Sequence, residues 1–199
     1  MKKKTTIRKT AVTAIMAALS IALMYLDFSI PIMPVFIKFD VSELPALITS
    51  FALGPVYGIA VCLVKNLVHG LTSQSAFIGE LSNFILGAVF VATAGFVYQH
   101  NKNRKSAFLG ALLGALAMAI ISLPSNYFIV YPIYAQTFFG GSMDAIVGMY
   151  QTILPRTKNL FQALLIFNVP FTFCKGLCST VLTFLVYKRI SPILKGKEI

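Results

Sequence analysis

Long apolar runs constrain this 199-residue chain more than any other feature. Stretches of about 20 residues without an acidic or basic side chain recur along it, long enough for a helix to cross a hydrocarbon core about 30 Å thick. Apolar residues make up 57% of the chain and charged residues only 12%. Because a bilayer offers the backbone no hydrogen-bond partners, such runs are expected to be helical. The sequence therefore predicts an all-α membrane protein without a separate soluble domain.

Six membrane spans are predicted, and the second is unusually short. They cover residues 10–28, 44–53, 56–71, 78–99, 106–131 and 160–187. Gly54-Pro55 separates the second span from the third, since this pair favours a turn. An irregular outer loop is expected at 30–41, and an outer segment at 132–159 is expected to contain a short interfacial helix that begins near Ser142. A ten-residue span can cross only if the bilayer is thinned or if protein covers its end.

The distribution of basic residues decides whether the chain turns back at Gly54-Pro55. If residues 44–71 crossed once, the chain would have five spans, and seven basic residues would lie on the outer side. With a turn, twelve of the seventeen lysines and arginines are cytoplasmic, as the positive-inside rule requires. We therefore expect both termini in the cytoplasm. The net charge of +11 is explained by basic clusters at span ends, and no nucleic-acid partner is predicted.

No set of residues typical of an enzyme is visible. His69 and His100 are predicted on opposite sides of the membrane and cannot share a metal ion. Cys62, Cys174 and Cys178 lie in apolar stretches, which favours packing over disulfides. A small lipid-modifying membrane enzyme would need carboxylates or histidines clustered at the interface, and a self-sufficient carrier would usually show an internal repeat. Neither is seen, so no catalytic residue, metal or cofactor is predicted.

Asn126 and Lys175 are polar residues within two of the most apolar stretches. A lysine at the middle of a membrane helix costs roughly 2.5–3.5 kcal/mol, so such a charge suggests a functional site. The alternative is that Lys175 reaches an interface or bonds a neighbouring helix. Thr172 shares a helix face with Lys175 at i and i+3, and Tyr127 follows Asn126. These four side chains are expected to converge.

The depth of Lys175 limits this interpretation. A straight helix from Leu160 would place Lys175 about 22 Å below its start at 1.5 Å per residue. An outward-facing site therefore requires the helix to begin nearer Asn168-Val169-Pro170. An amide, a hydroxyl and an ammonium group beside aromatic rings suit a flat heteroaromatic ligand. The rings expected to cover it are those of Phe36, Phe39, Tyr127 and Tyr131.

Two acid-containing pairs and one small-residue stripe allow more than one interpretation. At Asp40 and Glu43, we expect Ser42 or Asp40 to cap the following helix and Glu43 to complement its dipole. Glu80 and Asn83 share one helix face, and helix–helix hydrogen bonding and ligand contact remain equally open for them. The stripe lets another helix approach closely, either a partner protein or a neighbouring span. Its residues are Thr10, Ala14, Ala18 and Ala22.

Taken together, the motifs resemble those of the riboflavin-specific S-components of energy-coupling factor (ECF) vitamin transporters. The resemblance covers nearly the whole chain and rests on ALSIALMYLDFSIPIMPVFIKFDVSELPALITSFALGPVYGI, LVKNL, GELSNFILGA, SNYFIVYPIY and PFTFCKG. It implies a six-helix subunit in the bacterial cell membrane that binds the vitamin from outside. Transport would then need a transmembrane coupling subunit, which docks on the small-residue face of the first helix, and two cytoplasmic ATPases.

The resemblance also implies roles for individual residues. It places Ile37, Lys38, Phe39 and Asp40 over the isoalloxazine ring, and it places Asn126 and Lys175 along the polar edge of that ring. The family commonly has asparagine where this chain has Thr172, and a hydroxyl offers one donor where an amide offers two. Asn168 is a candidate to compensate. The difference leaves FMN open as ligand, and the residues alone also leave open thiamin, folate or a queuosine precursor.

Overall fold

The computed structural model describes the backbone of residues 2–195 and the side chains of residues 6–186. The helices are α1 (Lys2–Met24), α2 (Glu43–Leu53), α3 (Pro55–Gly70), α4 (Ile78–His100), α5 (Arg104–Ser125), α6 (Tyr131–Phe138), α7 (Met143–Gln151), α8 (Leu160–Ala163) and α9 (Val169–Lys195). Two π-helical turns, Asn126–Val130 and Leu164–Asn168, join α5 to α6 and α8 to α9. The strands β1 (Phe28–Ser29) and β2 (Lys38–Phe39) form an antiparallel pair.

The long apolar helices agree with the predicted all-α membrane protein. Within the described residues, four helical stretches are long and apolar enough to cross a membrane, namely Thr6–Met24, Ile78–His100, Arg104–Phe138 and Leu160–Val186. The first differs from the expected 10–28, because it begins in the basic segment and ends at Met24. Helix-favouring lysines extend its start, and the chain then enters β1.

The loop between α1 and α2 is more ordered than the irregular loop predicted at 30–41. Phe28 pairs with Phe39 and Ser29 with Lys38 across the two strands. The rings of Phe28 and Phe39 lie 5.4 Å apart between centroids, and Lys38 Nζ lies 3.0 Å from Asp27 Oδ2. The strand pair and this ion pair together close the base of the loop, so residues 30–37 form the tip of a hairpin.

The turn at Gly54-Pro55 is confirmed. Gly54 has a φ angle of +118°, a conformation that favours glycine, and Pro55 begins α3. A hydrogen bond from Lys65 near the end of α3 to Glu43 at the start of α2 shows that the two helices are antiparallel. The short helix α2 is buried along most of its length, in contact with α1, α3, α4 and α9. Protein therefore covers it, one of the two conditions foreseen for so short a span.

Both π turns lie next to prolines and keep long helices continuous. The last span begins at Leu160, as predicted, and its helix passes through Pro170, so the later start near Asn168-Val169-Pro170, which an outward-facing site was expected to require, is not seen. Val169 N–H bonds the carbonyl of Leu164, five residues back, and the wider turn makes room ahead of the proline ring. The other π turn keeps the helix of the fifth predicted span continuous to Phe138, beyond the predicted end of that span at residue 131.

The segment at 132–159 also contains the predicted short helix. Ser142 is the N-cap of α7, and its Oγ accepts the N–H of Ala145 at 3.3 Å. Ile146, Val147 and Tyr150 are the buried residues of α7. They belong to a small apolar cluster with residues of α6 and α8. The prediction of a helix that begins near Ser142 is therefore confirmed, and α7 packs onto the helices around it.

Gly58 on α3 packs closely against α2, and we expect Gly58→Ala to destabilise the protein. An added Cβ would lie 2.7 Å from Ser50 Cβ and 2.9 Å from the carbonyl oxygen of Ala46. Overpacking of this kind costs about 1–3 kcal/mol, which should lower the thermal unfolding midpoint of the purified protein. Gly148→Ala is the matched control, since nothing lies within 4 Å of its added Cβ. An unchanged midpoint for Gly58→Ala would contradict this packing.

Candidate binding cavity

A cavity of about 800 Å³ lies among the loop between β1 and β2, the α3–α4 connection, and helices α4, α5, α6 and α9. Its volume falls within the range of about 300–1,000 Å³ that is usual for small-molecule sites. Nine of the eleven residues predicted to bind a ligand line it, namely Ile37, Lys38, Asp40, Asn83, Asn126, Tyr131, Asn168, Thr172 and Lys175. The structure therefore brings together residues that are up to 138 positions apart in the chain.

Phe39 and Tyr127 are the two predicted residues that do not line the cavity. Phe39 packs its ring against Phe28 and against Phe171, which does line it. Tyr127 is 38% exposed, with its ring against Phe128 and Phe161 on the outside. Successive helical residues point in different directions, so Tyr127 does not converge with Asn126 as expected.

The two π turns present two buried asparagines to the cavity. Asn126 begins the first π turn and Asn168 ends the second. The Ser82 hydroxyl donates to Asn126 Oδ1 at 3.0 Å, which fixes the side-chain amide of Asn126. Insertion of one extra residue into a helix rotates the residues that follow it. These turns therefore decide which side chains of the two long helices face the cavity.

Tyr150 supports one wall of the cavity and was missed from the sequence. Its hydroxyl donates to Asn168 Oδ1 at 2.6 Å, while Asn168 Nδ2 donates to the Tyr131 hydroxyl at 3.0 Å. The two tyrosine hydroxyls also bond each other, so three side chains close a ring of hydrogen bonds. Burial raises the pKa of the Tyr150 phenol above its usual range, which keeps it a neutral donor. In the sequence Tyr150 looks like an ordinary apolar-face residue of α7.

Lys175 is held by two acidic side chains. It is buried, and its Nζ lies 2.8 Å from Asp40 Oδ2 and 3.5 Å from Glu43 Oε1. Lys65 Nζ lies 2.9 Å from the same Glu43 oxygen and also donates to the Ser42 hydroxyl. Lys175 therefore bonds neighbouring elements, which was the alternative to a functional site, and its side chain also lines the cavity.

Asp40 bonds Ser42, the N-cap residue of α2, and Ser42 itself makes no side-chain capping hydrogen bond, so the cap expected from Ser42 or Asp40 is not seen. Asp40 Oδ1 accepts the backbone N–H of Ser42 at 2.8 Å and also the Ser42 hydroxyl. Burial alone would raise the pKa of Asp40, but the ammonium groups of Lys175 and Lys65 outweigh it and hold that pKa below the usual range. Asp40 is therefore ionised at neutral pH. Glu43 lies in the first turn of α2, as expected for an acid that complements the helix dipole, and it also forms a buried ion pair with Lys65.

A second polar group lies at the α3–α4 connection. Glu80 and His69 both line the cavity, and their side chains bond at 2.8 Å between Oε1 and Nδ1. Ser75 donates its hydroxyl to the other carboxylate oxygen of Glu80. Glu80 therefore joins two neighbouring segments by hydrogen bonds, while Asn83 faces the cavity. Among the described residues, no group of three or more His, Cys, Asp or Glu side chains is placed to hold a metal ion.

Comparison with known proteins identifies the family. The family described as "ECF transporter, substrate-specific component" matches residues 8–187, so this chain belongs to it. The riboflavin transporter RibU of Staphylococcus aureus (strain TCH60) is 30% identical over 92% of this chain and 89% of the relative. The riboflavin transporter FmnP of Bacillus subtilis (strain 168) is 29% identical over 96% of both chains.

A solved structure supports the same conclusion. The S component of a bacterial ECF transporter matches this fold with a TM-score of 0.74 and 29% identity, over 98% of this chain and 99% of that one. The protein is therefore a multi-pass membrane component of a transporter and not an enzyme. The resemblance stated from the sequence motifs is confirmed at the level of the family.

We expect Tyr150→Phe to destabilise the protein by about 1–3 kcal/mol, because it leaves Asn168 Oδ1 buried without its donor. The ring and its packing are retained, so the change isolates the hydroxyl. Thermal unfolding in detergent measures the effect, and Tyr127→Phe at an exposed position is the matched control. Equal midpoints for the two variants would show that the hydrogen-bond ring contributes nothing to stability.

Proposed function

We propose that this protein is the riboflavin-binding subunit of an ECF importer. It captures riboflavin from outside the cell and delivers it through a complex with a transmembrane coupling subunit and two cytoplasmic ATPases. The observation that carries the proposal is the cavity, in which Asn126, Thr172 and Lys175 stand near aromatic side chains. The similarity of nearly the whole chain to proteins named riboflavin transporters supports the same ligand.

The cavity suits the flavin ring system. An amide, a hydroxyl and an ammonium group can bond the carbonyl oxygens and ring nitrogens along one edge of isoalloxazine. Phe36 and Ile37 on the hairpin loop offer apolar contacts for the ring faces, with Tyr131 and Tyr134 on α6. Thr172, where the family commonly has asparagine, is buried at the wall, and Asn168 lies in the same wall. Asn168 already holds two tyrosines, so Asn126 and Lys175 carry more of the recognition.

The charges around the cavity favour riboflavin over FMN. In the described part of the chain, both lysines that line the cavity are ion-paired, Lys38 with Asp27 and Lys175 with Asp40. Glu80 adds a further carboxylate to the wall. A phosphate group would therefore meet acidic groups without an unpaired lysine to compensate for them. The uncharged ribityl chain of riboflavin has hydroxyl groups that can bond such carboxylates.

We also propose six spans with both termini in the cytoplasm of a bacterial cell. The basic N-terminal segment lies at the bundle end opposite the cavity, because Lys9 Nζ stands 5.4 Å from the ring centre of Tyr57 near the Gly54 turn. The loop at residues 101–103, which contains Lys102 and precedes Arg104, joins α4 to α5. It lies at that same end, since the ring of Tyr98 near the end of α4 is 5.1 Å from that of Phe51 near the Gly54 turn. The positive-inside rule then puts the cavity on the outer side. The short pair α2 and α3 supplies the second and third spans.

The small-residue stripe on α1 is proposed as the surface that meets the coupling subunit. Met16, Ala17 and Ser20 face the interior of the bundle. All four stripe residues are exposed, namely Thr10, Ala14, Ala18 and Ala22. Packing within the subunit therefore does not occupy them, and small side chains let a partner helix approach closely.

Asn126→Ala and Lys175→Ala should each weaken riboflavin binding by about 1–3 kcal/mol, because each leaves a polar group of the bound ligand without its partner. Titration of the purified protein, followed by quenching of riboflavin fluorescence, measures the change. Tyr127→Ala is the control, since the structure places Tyr127 outside the cavity, and it should bind as the wild type does.

Two outcomes would contradict the proposal. Wild-type affinity in both variants would remove Asn126 and Lys175 from the site. Protein purified from rich medium that shows no flavin absorption and does not bind riboflavin would reject the ligand itself. Titration with FMN, thiamin and folate on the same preparation would then identify the ligand class.

Ala18→Trp should abolish riboflavin uptake by the complete transporter and leave riboflavin titration of the isolated subunit nearly unchanged. The bulky side chain blocks helix approach at the exposed face of α1, and it lies away from the cavity residues. Ile120→Trp, at a residue 60% exposed on α5, is the control and should retain uptake. Joint loss of expression and of flavin binding in Ala18→Trp would instead place this face inside the folded subunit.

A further inference from the structure

Lys65 and Glu43 do not line the cavity, yet they are completely buried beside a residue that does. Their side chains are 0% and 1% exposed and bond at 2.9 Å. Burial of such a pair is weak evidence for a role in stability, because desolvation offsets much of the attraction. We infer that Lys65 and Glu43 are positioning residues that keep the Lys175 ammonium on Asp40 and at the cavity wall. This inference rests on the proposed function, in which Lys175 contacts the ligand.

Glu43 is shared unequally between the two lysines. Its Oε1 lies 2.9 Å from Lys65 Nζ and 3.5 Å from Lys175 Nζ. Lys175 is closer to Asp40, at 2.8 Å. Lys65 therefore balances most of the Glu43 charge, and Lys175 stays paired with Asp40, which follows β2. The four charges balance, two positive and two negative, and all four side chains are buried.

Removal of the Lys65 charge alone would upset this division. Glu43 would become a buried carboxylate with Lys175 as the remaining ammonium in its reach, and its Oε2 already has no hydrogen-bond partner. An unpaired buried charge is strongly unfavourable. Lys175 would therefore move from Asp40 towards Glu43, and away from the ligand.

Removal of the Glu43 charge alone has a related effect through Asp40. Lys65 would keep the Ser42 hydroxyl as its partner, and that hydroxyl bonds Asp40. Two ammonium groups would then share the single carboxylate of Asp40, which weakens its hold on Lys175. Removal of both charges leaves the Asp40–Lys175 pair neutral and undisturbed, so the double variant should resemble the wild type.

Riboflavin titration of four purified variants tests this inference. Lys65→Met should weaken binding by about tenfold or more and Glu43→Gln by about threefold or more, as expected for coupled neighbours. The double variant Lys65→Met/Glu43→Gln should bind more tightly than either single variant, within about threefold of the wild type. Ser50→Ala is the control, because it removes another buried hydrogen bond of α2, to the Val91 carbonyl, and should bind as the wild type does.

The outcomes separate this inference from the proposed function. If Lys175→Ala binds as tightly as the wild type, the assigned site fails and the inference fails with it. If Lys175→Ala binds weakly, the assigned site stands. The inference alone is then overturned if Lys65→Met and Glu43→Gln both bind normally. It is also overturned if the double variant binds no more tightly than these two. Should Lys65→Met not fold, the comparison of Glu43→Gln with the double variant decides, since only a positioning role predicts tighter binding by the double variant.

Discussion

Asp40, Glu43, Lys65 and Lys175 are buried as one charge-balanced cluster, and the architecture of the cavity depends on it. The cluster joins α9 to the consecutive elements that run from the β hairpin through α2 and α3, more than 100 residues earlier in the chain. Ser20 on α1 donates its hydroxyl to the Ser42 carbonyl and so links the first helix to the same group. Ion pairs of this kind require precise packing around them, because a displaced partner leaves a charge without compensation. The short helix α2, enclosed by four neighbours, provides that packing.

The π turns have a comparable influence on the cavity. Each lies in a long helix next to a proline, and each carries an asparagine that faces the cavity. The hydrogen-bond ring of Tyr131, Tyr150 and Asn168 then ties the short helix α7 to the cavity wall. A rigid scaffold with irregular helical turns at the site is a common arrangement, since the irregular turns aim side chains that a regular helix would turn elsewhere.

Binding and coupling are assigned to different parts of the molecule. The cavity lies at one end of the bundle, whereas the small-residue stripe covers the exposed face of α1. The two are connected through Ser20 and Ser42, which bridge α1 to the charge cluster. This separation allows the binding residues to suit one vitamin while the stripe suits a coupling subunit, as the proposed function requires.

The sequence by itself determined the long apolar helices, the turn at Gly54-Pro55, the helix after Ser142 and nine of the cavity residues. These follow from local chemistry, such as hydropathy, backbone preference and a charge within an apolar run. Lys65 had that same signal, and its ion pair with Glu43 was still missed. Only the tertiary structure decided the pairing of the four charges, the role of Tyr150, the outward position of Tyr127 and the unbroken helix through Pro170. Each of these depends either on which elements meet in space or on the extra residue in a π turn. Such contacts and π turns leave no periodic pattern in the sequence.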